Sequence, residues 1–240
     1  MKSVLIDSRA PKKAKERLAS LGYNVIALPP SRYLPGAISG HADSLIFRLE
    51  NQIITFADYC DEAAYVFSDI REAHPSVSVG FSSETPSHVY PDDAKYNALV
   101  MGNKVFARLD SISATVKEAA IAGGYELINV NQGYPACTTL VLDGTHAITS
   151  DKGLFRVLTT HGISVTLIEV GSIGLPPYEY GFIGGTAGVC DGKVYFVGDY
   201  TAHPSAADID KTIRSLSLNP VSLTEGLLTD VGGLLFLNNT

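Results

Sequence analysis

The sequence predicts a five-bladed α/β propeller, in which five ββαβ units surround a pseudo-fivefold axis and form a single domain over residues 1–240. Three observations lead to this fold class. Turn signals between short apolar runs recur at intervals of about 40–50 residues, a spacing typical of repeat architectures. A helix-like stretch and a further β-rich run follow each turn. The two ends of the chain carry complementary parts of one more unit.

Each predicted hairpin is centred on a two-residue turn. Asn, Asp and Gly tolerate the positive φ angles that such turns require. The turns are Glu50-Asn51, Gly102-Asn103, Asp143-Gly144 and Asp191-Gly192. The flanking runs predict strand pairs over residues 44–49 with 52–57, 97–101 with 104–109, 138–142 with 145–149, and 186–190 with 193–198.

A helix and a closing strand follow each hairpin. In the second unit the helix is predicted to begin at Ser111 and to run through Ala122. In the third, either Ser150 or Asp151 can cap the helix, and Gly162 ends it. The other helices are predicted over residues 61–73 and 206–216, and closing strands over 125–130 and 163–170.

The termini supply a fifth unit that is split in two. Residues 233–237 predict its first strand, and Asn238-Asn239 lies where the turn belongs. Residues 3–7, 11–21 and 24–28 then predict the second strand, the helix and the closing strand. Such complementary ends predict a closed ring, which leaves no sheet edge exposed. The alternative is a coincidental alternation of helices and strands.

Composition and charge restrict the class of protein. Apolar residues make up 45% of the chain and charged residues 18%, which is typical of a globular domain. The formal net charge of −7 disfavours nucleic acid as a partner. Three cysteines make no disulfide framework and indicate reduced thiols. The first apolar run is too short for a signal peptide, and no run is long enough to span a membrane, so we expect a cytoplasmic protein.

In a ring of such units, the start of each first strand points towards the axis. The residues at these positions are polar, nucleophilic or glycine, which a plain core would not favour. They occupy residues 40–44, 95–97, 134–139, 182–186 and 229–233. These segments are the candidates for a functional site.

Five ββαβ units with His, Asp and Cys at the strand starts resemble the pentein, or guanidino-group-modifying, superfamily. That family carries an acid in a Glu-Gly-Gly-Asp-type motif, a His in a His-x-Asp or His-x-x-Ser-type motif one unit later, and a nucleophilic Cys two units further on. The similar segments here are Asp230-Val231-Gly232-Gly233, His41-Ala42-Asp43-Ser44 and Cys137-Thr138-Thr139. The family order acid, His, Cys therefore becomes His, Cys, acid, which predicts a circular permutation.

The resemblance implies a role for each of these residues. Cys137 would be the nucleophile, His41 the general acid and base, and Asp230 the group that orients His41 or binds a substrate N–H. A thiolate attacks the planar carbon of a cationic amidine well, and carboxylates hold the cation. The resemblance implies no metal and no organic cofactor. Further substrate contacts are expected from Asp43, Asn97, Thr138 and Arg9, the last towards a substrate carboxylate.

The sequence also departs from the family pattern. Gly184, Gly185 and Gly233 stand where the family has acids, and Asp230 is shorter than the family's Glu. These departures leave two functions open. The first is a hydrolase or transferase acting on a C–N bond of a guanidino or amidine small molecule through Cys137. The alternative is a non-catalytic protein of the same fold that binds a small cationic ligand or a protein partner.

Each candidate also has a plain structural alternative. Cys137 could be a buried packing thiol, Asp43 a turn cap, Asp230 a loop residue and Arg9 a solvated surface residue. Cys60 and Cys190 are expected to pack in the core. The sequence specifies neither the substrate nor the oligomeric state.

Overall fold

The computed structural model describes residues 2–238 and shows a mixed α/β fold of small sheets. Five sheets have three strands each, and a sixth has two. In every three-stranded sheet the middle strand pairs antiparallel with one neighbour and parallel with the other. The described residues therefore contain five copies of the ββαβ unit that the turns predict.

The first half of the chain holds the end of the split unit and two complete units. The split unit contributes β1 (Ser3–Asp7), α1 (Lys12–Ser20) and β2 (Asn24–Leu28). The next unit contains α2 (Ala42–Leu45), β3 (Phe47–Leu49), β4 (Gln52–Phe56), α3 (Ala57–Glu62), α4 (Ala64–Ala73) and β5 (Ser78–Ser82). The following unit contains β6 (Leu99–Met101), β7 (Lys104–Ala107), α5 (Ala114–Ala122) and β8 (Glu126–Asn129).

The second half holds two further units and the start of the split one. The first of these contains α6 (Pro135–Thr138), β9 (Thr139–Val141), β10 (His146–Thr149), α7 (Lys152–Thr160) and β11 (Ser164–Leu167). Next come β12 (Ile173–Gly174), β13 (Ala187–Cys190), β14 (Lys193–Phe196), α8 (Ala206–Ser215) and β15 (Asn219–Ser222). The last strands are β16 (Leu228–Thr229) and β17 (Leu235–Leu237).

The split unit forms one sheet from the two ends of the chain. Strand β17 pairs antiparallel with β1, with Leu237 opposite Ser3. Strand β1 pairs parallel with β2, with Ser3 opposite Asn24. The predicted pairing of the termini is therefore confirmed. Of the predicted Asn238-Asn239 turn, Asn239 lies outside the described residues.

The first strands begin later than the turn pattern predicts. Helical turns precede three of them, namely α2, α6 and a 3-10 turn over Gly184–Thr186. In the first of these, the His41 carbonyl accepts hydrogen bonds from the backbone of Ser44 and Leu45. In the second, Pro135 stands at the first helical position, where its fixed φ suits a helix start. In these three units most of the residues predicted to face the axis thus lie on tight turns rather than on strands.

Two helix predictions also change. The helix predicted from Ser111 begins at Ala114, because Ser111 Oγ donates to the Arg108 carbonyl in the preceding turn. The helix predicted over residues 61–73 is two helices, α3 and α4, that meet at Ala63 with φ −120° and ψ 33°. In the third unit the structure selects Asp151 as the cap, since its carboxylate accepts from the Leu154 backbone.

The core consists of four clusters of buried apolar side chains, and each cluster joins neighbouring units. In one, Leu154 and Leu158 of α7 pack with Phe106 of the preceding unit's sheet. Another joins the two units of the second half, and a third joins the split unit to β14 through Tyr195. The largest joins the split unit to the two units of the first half. Helix packing therefore connects every unit to its neighbours, including the last to the first.

A cavity of about 530 Å³ lies among the first strands of the sheets. Residues of β3, β6, β9, β13 and β17 line it together with the segments before them. Among the described residues, no helix is long and apolar enough to cross a membrane.

Candidate active site

The site is a buried cluster of three side chains that come from three different units. His41 precedes α2, Cys137 lies in α6, and Asp230 follows β16. The exposed fractions are 2%, 5% and 3%. Cys137 Sγ is 3.4 Å from Asp230 Oδ2, and His41 Nδ1 is 3.6 Å from Asp230 Oδ1. The structure thus brings together the three residues predicted as the reacting group.

Backbone donors hold the Asp230 carboxylate in place. The backbone N–H of Phe182 donates to Oδ2 at 2.9 Å, and that of Gly232 donates to Oδ1 at 3.0 Å. The sequence did not predict the short parallel pair of β12 and β16, which positions both loops. Asp230 directly follows β16 and its N–H donates to the Gly174 carbonyl, while the N–H of Gly181, next to Phe182, donates to the Ile173 carbonyl. The orientation of Asp230 is therefore set by two loops that approach from different parts of the chain.

Two glycines make room for the cluster. A Cβ atom on Gly185 would lie 1.9 Å from Asp230 Oδ1, so the aspartate occupies the space that a side chain at residue 185 would need. A Cβ on Gly232 would lie 2.3 Å from the Cβ of His41, and Gly232 has φ +74°. Only glycine allows the backbone to approach this closely and to adopt this angle. The Gly-Gly segments are thus required by the geometry of the acid and the histidine.

The thiol of Cys137 is protonated in the resting protein. Burial, followed by the charges of Asp230 and Asp43, raises the pKa of Cys137 well above its ordinary value. Both effects disfavour the thiolate, because neither a low-dielectric site nor a nearby carboxylate stabilises a negative sulfur. Positive charge on a bound ligand would oppose both effects and favour the thiolate.

Asp43 lies beside the same thiol and is partly buried. Burial is the main cause that raises its pKa from 3.8 to about 6, with a smaller contribution from Asp230, while His41 acts in the opposite direction. Its Oδ1 accepts from Ser44 Oγ at 3.2 Å, and its Oδ2 accepts no hydrogen bond from the described residues. This placement is compatible with its predicted contact to a guanidinium.

Asn97 and Thr138, predicted as substrate contacts, instead support the cysteine segment. Asn97 Oδ1 accepts from the backbone N–H of Ala136 at 2.9 Å, and Thr138 Oγ1 donates to the Tyr134 carbonyl at 2.9 Å. A cavity of about 380 Å³ opens beside Cys137, and neither side chain lines it. The Thr138 hydroxyl and the Asn97 amide oxygen bind backbone atoms of the turn, which the motif comparison could not reveal, whereas Asn97 Nδ2 is buried without a hydrogen-bond partner among the described residues.

Arg9 does not act in this cavity either. Its guanidinium forms an ion pair with Asp7 at 2.6 Å and donates to the carbonyls of Gly36 and Ala37. The side chain therefore ties the loop before His41 to β1. The expected contact to a substrate carboxylate is not supported by this placement.

The cavity of about 380 Å³ beside Cys137 also borders His41. Its wall is rich in tyrosine and contains two further acids. The lining residues are Ile38, His41, Ser44, Tyr90, Asp93, Tyr134, Cys137, Leu175, Tyr178, Glu179, Tyr180 and Phe182. Tyr134 lies in the candidate segment 134–139 but received no role, and the sequence analysis missed Asp93 and the other tyrosines, although aromatic residues concentrate just before the first strands of two units.

The same three side chains have the composition of a metal site. One ligand atom from each of His41, Cys137 and Asp230 lies within 4.8 Å of the others. Cys, His and Asp are all zinc ligands, and catalytic zinc sites use three protein ligands with one open position. The cluster therefore offers either a covalent nucleophile or a metal ligand set, and metal analysis of the purified protein distinguishes the two.

Comparison with known proteins gives a fold relationship. The chain is similar in structure to a dimethylarginine dimethylaminohydrolase from Pseudomonas aeruginosa, with 7% identity, a TM-score of 0.55, and coverage of 92% of this chain and 91% of the other. An agmatine deiminase from C. jejuni has 7% identity, a TM-score of 0.56 and coverage of 92% and 87%. An amidinotransferase from Microseira wollei has 10% identity, a TM-score of 0.55 and coverage of 92% and 87%.

All three are members of the pentein superfamily, so the resemblance inferred from the sequence is confirmed at the level of the fold. No curated protein matches the sequence. A protein family described as "Family of unknown function (DUF6873)" matches residues 5–235, and the chain belongs to that family.

Proposed function

We propose that this protein is a cysteine-dependent hydrolase or transferase that acts on a C–N bond of a guanidino or amidine small molecule. The observation that carries the proposal is the convergence of Cys137, His41 and Asp230, of which His41 and Cys137 line a cavity. The similar solved structures are guanidino-modifying hydrolases and transferases, which supports this class of reaction.

The proposal includes the arrangement of the units. The five three-stranded sheets form a five-bladed propeller, and the family order of acid, His and Cys is circularly permuted. Two observations support this arrangement. All five first strands line the cavity of about 530 Å³, and the core clusters join each unit to the next. In this proposal residues 1–240 form one cytoplasmic domain.

The first step is attack of the Cys137 sulfur on the amidine carbon. The bound cation lies against Asp43 and Asp230, and its charge offsets the carboxylates that keep the thiol protonated. His41 takes the thiol proton, the C–S bond forms, and His41 then gives this proton to the leaving nitrogen as the C–N bond breaks. A covalent S-alkylthiouronium on Cys137 results.

The second step releases the product. His41 takes a proton from water, whose oxygen attacks the thiouronium carbon, and the C–S bond breaks with its electrons on sulfur. His41 returns its proton to the Cys137 thiolate, and the hydroxyl proton of the product passes to solvent or to the released amine, which leaves a C=O group in place of the lost nitrogen. If an amine replaces water as the acceptor, the same steps transfer the amidino group.

The test is covalent labelling with 2-chloroacetamidine, read by mass spectrometry of the intact protein. We expect a single adduct at Cys137 that forms at least about tenfold faster than with the neutral 2-chloroacetamide, because the reagent's positive charge is worth over 1 kcal/mol beside two carboxylates. His41→Ala should slow the reaction, and Cys137→Ala should abolish it.

Cys60→Ala and Cys190→Ala are the matched controls, since both residues are free thiols outside the cluster. They should label like the parent protein. Equal rates with the charged and the neutral reagent, or adducts spread over Cys60 and Cys190, would favour the non-catalytic binding protein. If bound zinc blocks labelling until a chelator removes it, the metal-site interpretation replaces the covalent one.

A further inference from the structure

The cavity beside Cys137 has an acidic and aromatic wall. Asp93 and Glu179 line it, and no Lys or Arg of the described chain does. A substrate carboxylate would therefore find no cationic partner among the lining side chains. A ligand that carries positive charge along its length matches this wall better than an amino acid does.

The proposed reaction uses neither acid of this wall, and Asp93 is the buried one of the two. Its exposed fraction is 4%, and its Oδ1 accepts no hydrogen bond from the described part of the chain. Leaving a buried acceptor without a partner costs free energy. A ligand that donates to Oδ1 would recover that free energy.

Asp93 is separate from the carboxylates that face the thiol. Asp230 and Asp43 act on the pKa of Cys137. The pKa of Asp93 is raised by its burial, and the opposing effect comes first from a hydrogen bond with the Tyr134 side chain. Asp93 is thus an acidic position of the cavity wall that is distinct from the carboxylates at the thiol.

Aromatic rings stand next to this acidic position. The rings of Tyr90 and Tyr134 lie 5.8 Å apart with an interplanar angle of 36°. The outer ring already binds a cation, because Arg108 lies 5.4 Å from the centre of the Tyr90 ring and is paired with Asp110. A ligand ammonium between Tyr134 and Asp93 would gain a charge-assisted hydrogen bond and a cation–π contact.

We propose that Asp93 and Tyr134 form a subsite for a second positive charge, so that the substrate is a dication with a guanidine or amidine at Cys137 and an ammonium or second guanidinium at Asp93. This inference rests on the proposed function for the identity of the first charge. It adds the kind of group that the cavity selects in the substrate's tail, which is the part of the molecule beyond the guanidine or amidine.

The test compares three ligands with tails of similar length, by calorimetry on the Cys137→Ser protein, which cannot turn them over by the proposed route. The ligands are 4-aminobutylguanidine, butylguanidine and arginine. We expect the ammonium tail to improve affinity about tenfold or more over the apolar tail, and arginine to bind more weakly than the ammonium ligand. In the Cys137→Ser background, Asp93→Asn should reduce the preference for the ammonium tail to about onefold.

Asp92→Asn is the matched control, because Asp92 is the exposed neighbour of Asp93 and pairs with Lys95. It should leave the preference unchanged. The subsite is wrong if butylguanidine binds as well as 4-aminobutylguanidine, if Asp93→Asn keeps the preference, or if no ligand of the three binds. If Asp93→Asn does not fold, the ranking of ligands on the Cys137→Ser protein still decides.

The two proposals fail in different ways. Labelling with 2-chloroacetamidine involves no tail, so it tests the chemistry at Cys137 independently of Asp93. Asp93-dependent binding without labelling would uphold the subsite and reject the reaction. Labelling with no preference for the ammonium tail would do the reverse.

Discussion

The burial of Asp43 lowers the free energy of unfolding at neutral pH. Its pKa is raised to about 6, so the folded protein holds this proton more tightly than the unfolded chain, whose value is 3.8. Its contribution to stability is therefore present at low pH and is lost as the pH rises through about 6. Above that pH the buried charge is ionised and opposes folding.

We expect Asp43→Asn to raise the free energy of unfolding by roughly 3 kcal/mol at most near pH 7.5, because a shift of about two pKa units corresponds to that amount. The gain should vanish near pH 3, where residue 43 is uncharged in both the folded and the unfolded protein. Urea unfolding at the two pH values measures the effect.

Asp110→Asn is the control of opposite sign. Its exposed carboxylate pairs with Arg108, which holds the pKa of Asp110 below its ordinary value. Replacing it should bring no gain at pH 7.5. A destabilised Asp43→Asn protein at neutral pH would contradict the argument, since it would mean that the carboxylate is stabilised by contacts stronger than its cost of burial.

At the residue scale, the sequence predicted that His41, Cys137 and Asp230 share one site, and their catalytic roles stay a prediction. His41, Cys137 and Asp230 were found because strand starts were compared between units, and the structure brings them together. Asn97 and Thr138 have the right position in the chain but turn towards backbone partners. Which way a side chain points at a tight turn depends on packing that adjacent residues do not encode.

At the scale of elements, the cap of α7 was left open between two residues. The structure selects Asp151, whose Oδ1 accepts from the Leu154 N–H at 2.8 Å and whose Oδ2 accepts from Gln132 at 2.8 Å. Gln132 in turn accepts from the backbone of Tyr134, next to the cavity. The cap therefore connects the start of a helix to the loop that carries the aromatic wall.

Asp151→Ala should lower the free energy of unfolding by about 1–2 kcal/mol, which is the usual loss when a capping carboxylate is removed. Ser150→Ala is the comparison and should change it by a few tenths of a kcal/mol, like most substitutions away from such contacts. Urea unfolding of both proteins at neutral pH gives the two values. Equal losses would show that the cap is shared between the two residues.

At the scale of the whole molecule, the two ends of the chain belong to one sheet. Leu237 lies opposite Ser3 in an antiparallel pair, as the two strands of each hairpin do elsewhere. The fold therefore does not require the chain ends to lie at this point, because the pairing of β1 with β17 holds the two strands together.

We expect a permuted chain to fold when Asn238 is joined to Lys2 by an Asn-Gly turn and new termini are opened between Asp143 and Gly144. These residues lie in the exposed turn between β9 and β10, where breaks are tolerated best. Circular dichroism and the 2-chloroacetamidine rate should match those of the parent protein. A control opened inside β4, whose residues are largely buried, should not fold. Failure of both chains would show that the natural termini are needed.

The sequence by itself determined the hairpins, the order of elements and the split unit. Local chemistry governs these features, since Gly, Asn and Asp permit the turns and alternating apolar runs select the strands. The positive φ angles at Glu50, Gly102 and Asp191 confirm that the turns lie where the sequence predicts them.

Only the tertiary structure decided which residues line the cavity at Cys137. Asp93, Tyr134 and Phe182 come from three parts of the chain, and a two-stranded sheet absent from the prediction brings the last of them to Asp230. Such a wall depends on contacts between units, and the sequence within one unit carries no record of what the neighbouring unit places against it. The clustered residues His41, Cys137 and Asp230 could be found by comparing repeats, whereas the rest of the cavity wall forms only when the units are packed together.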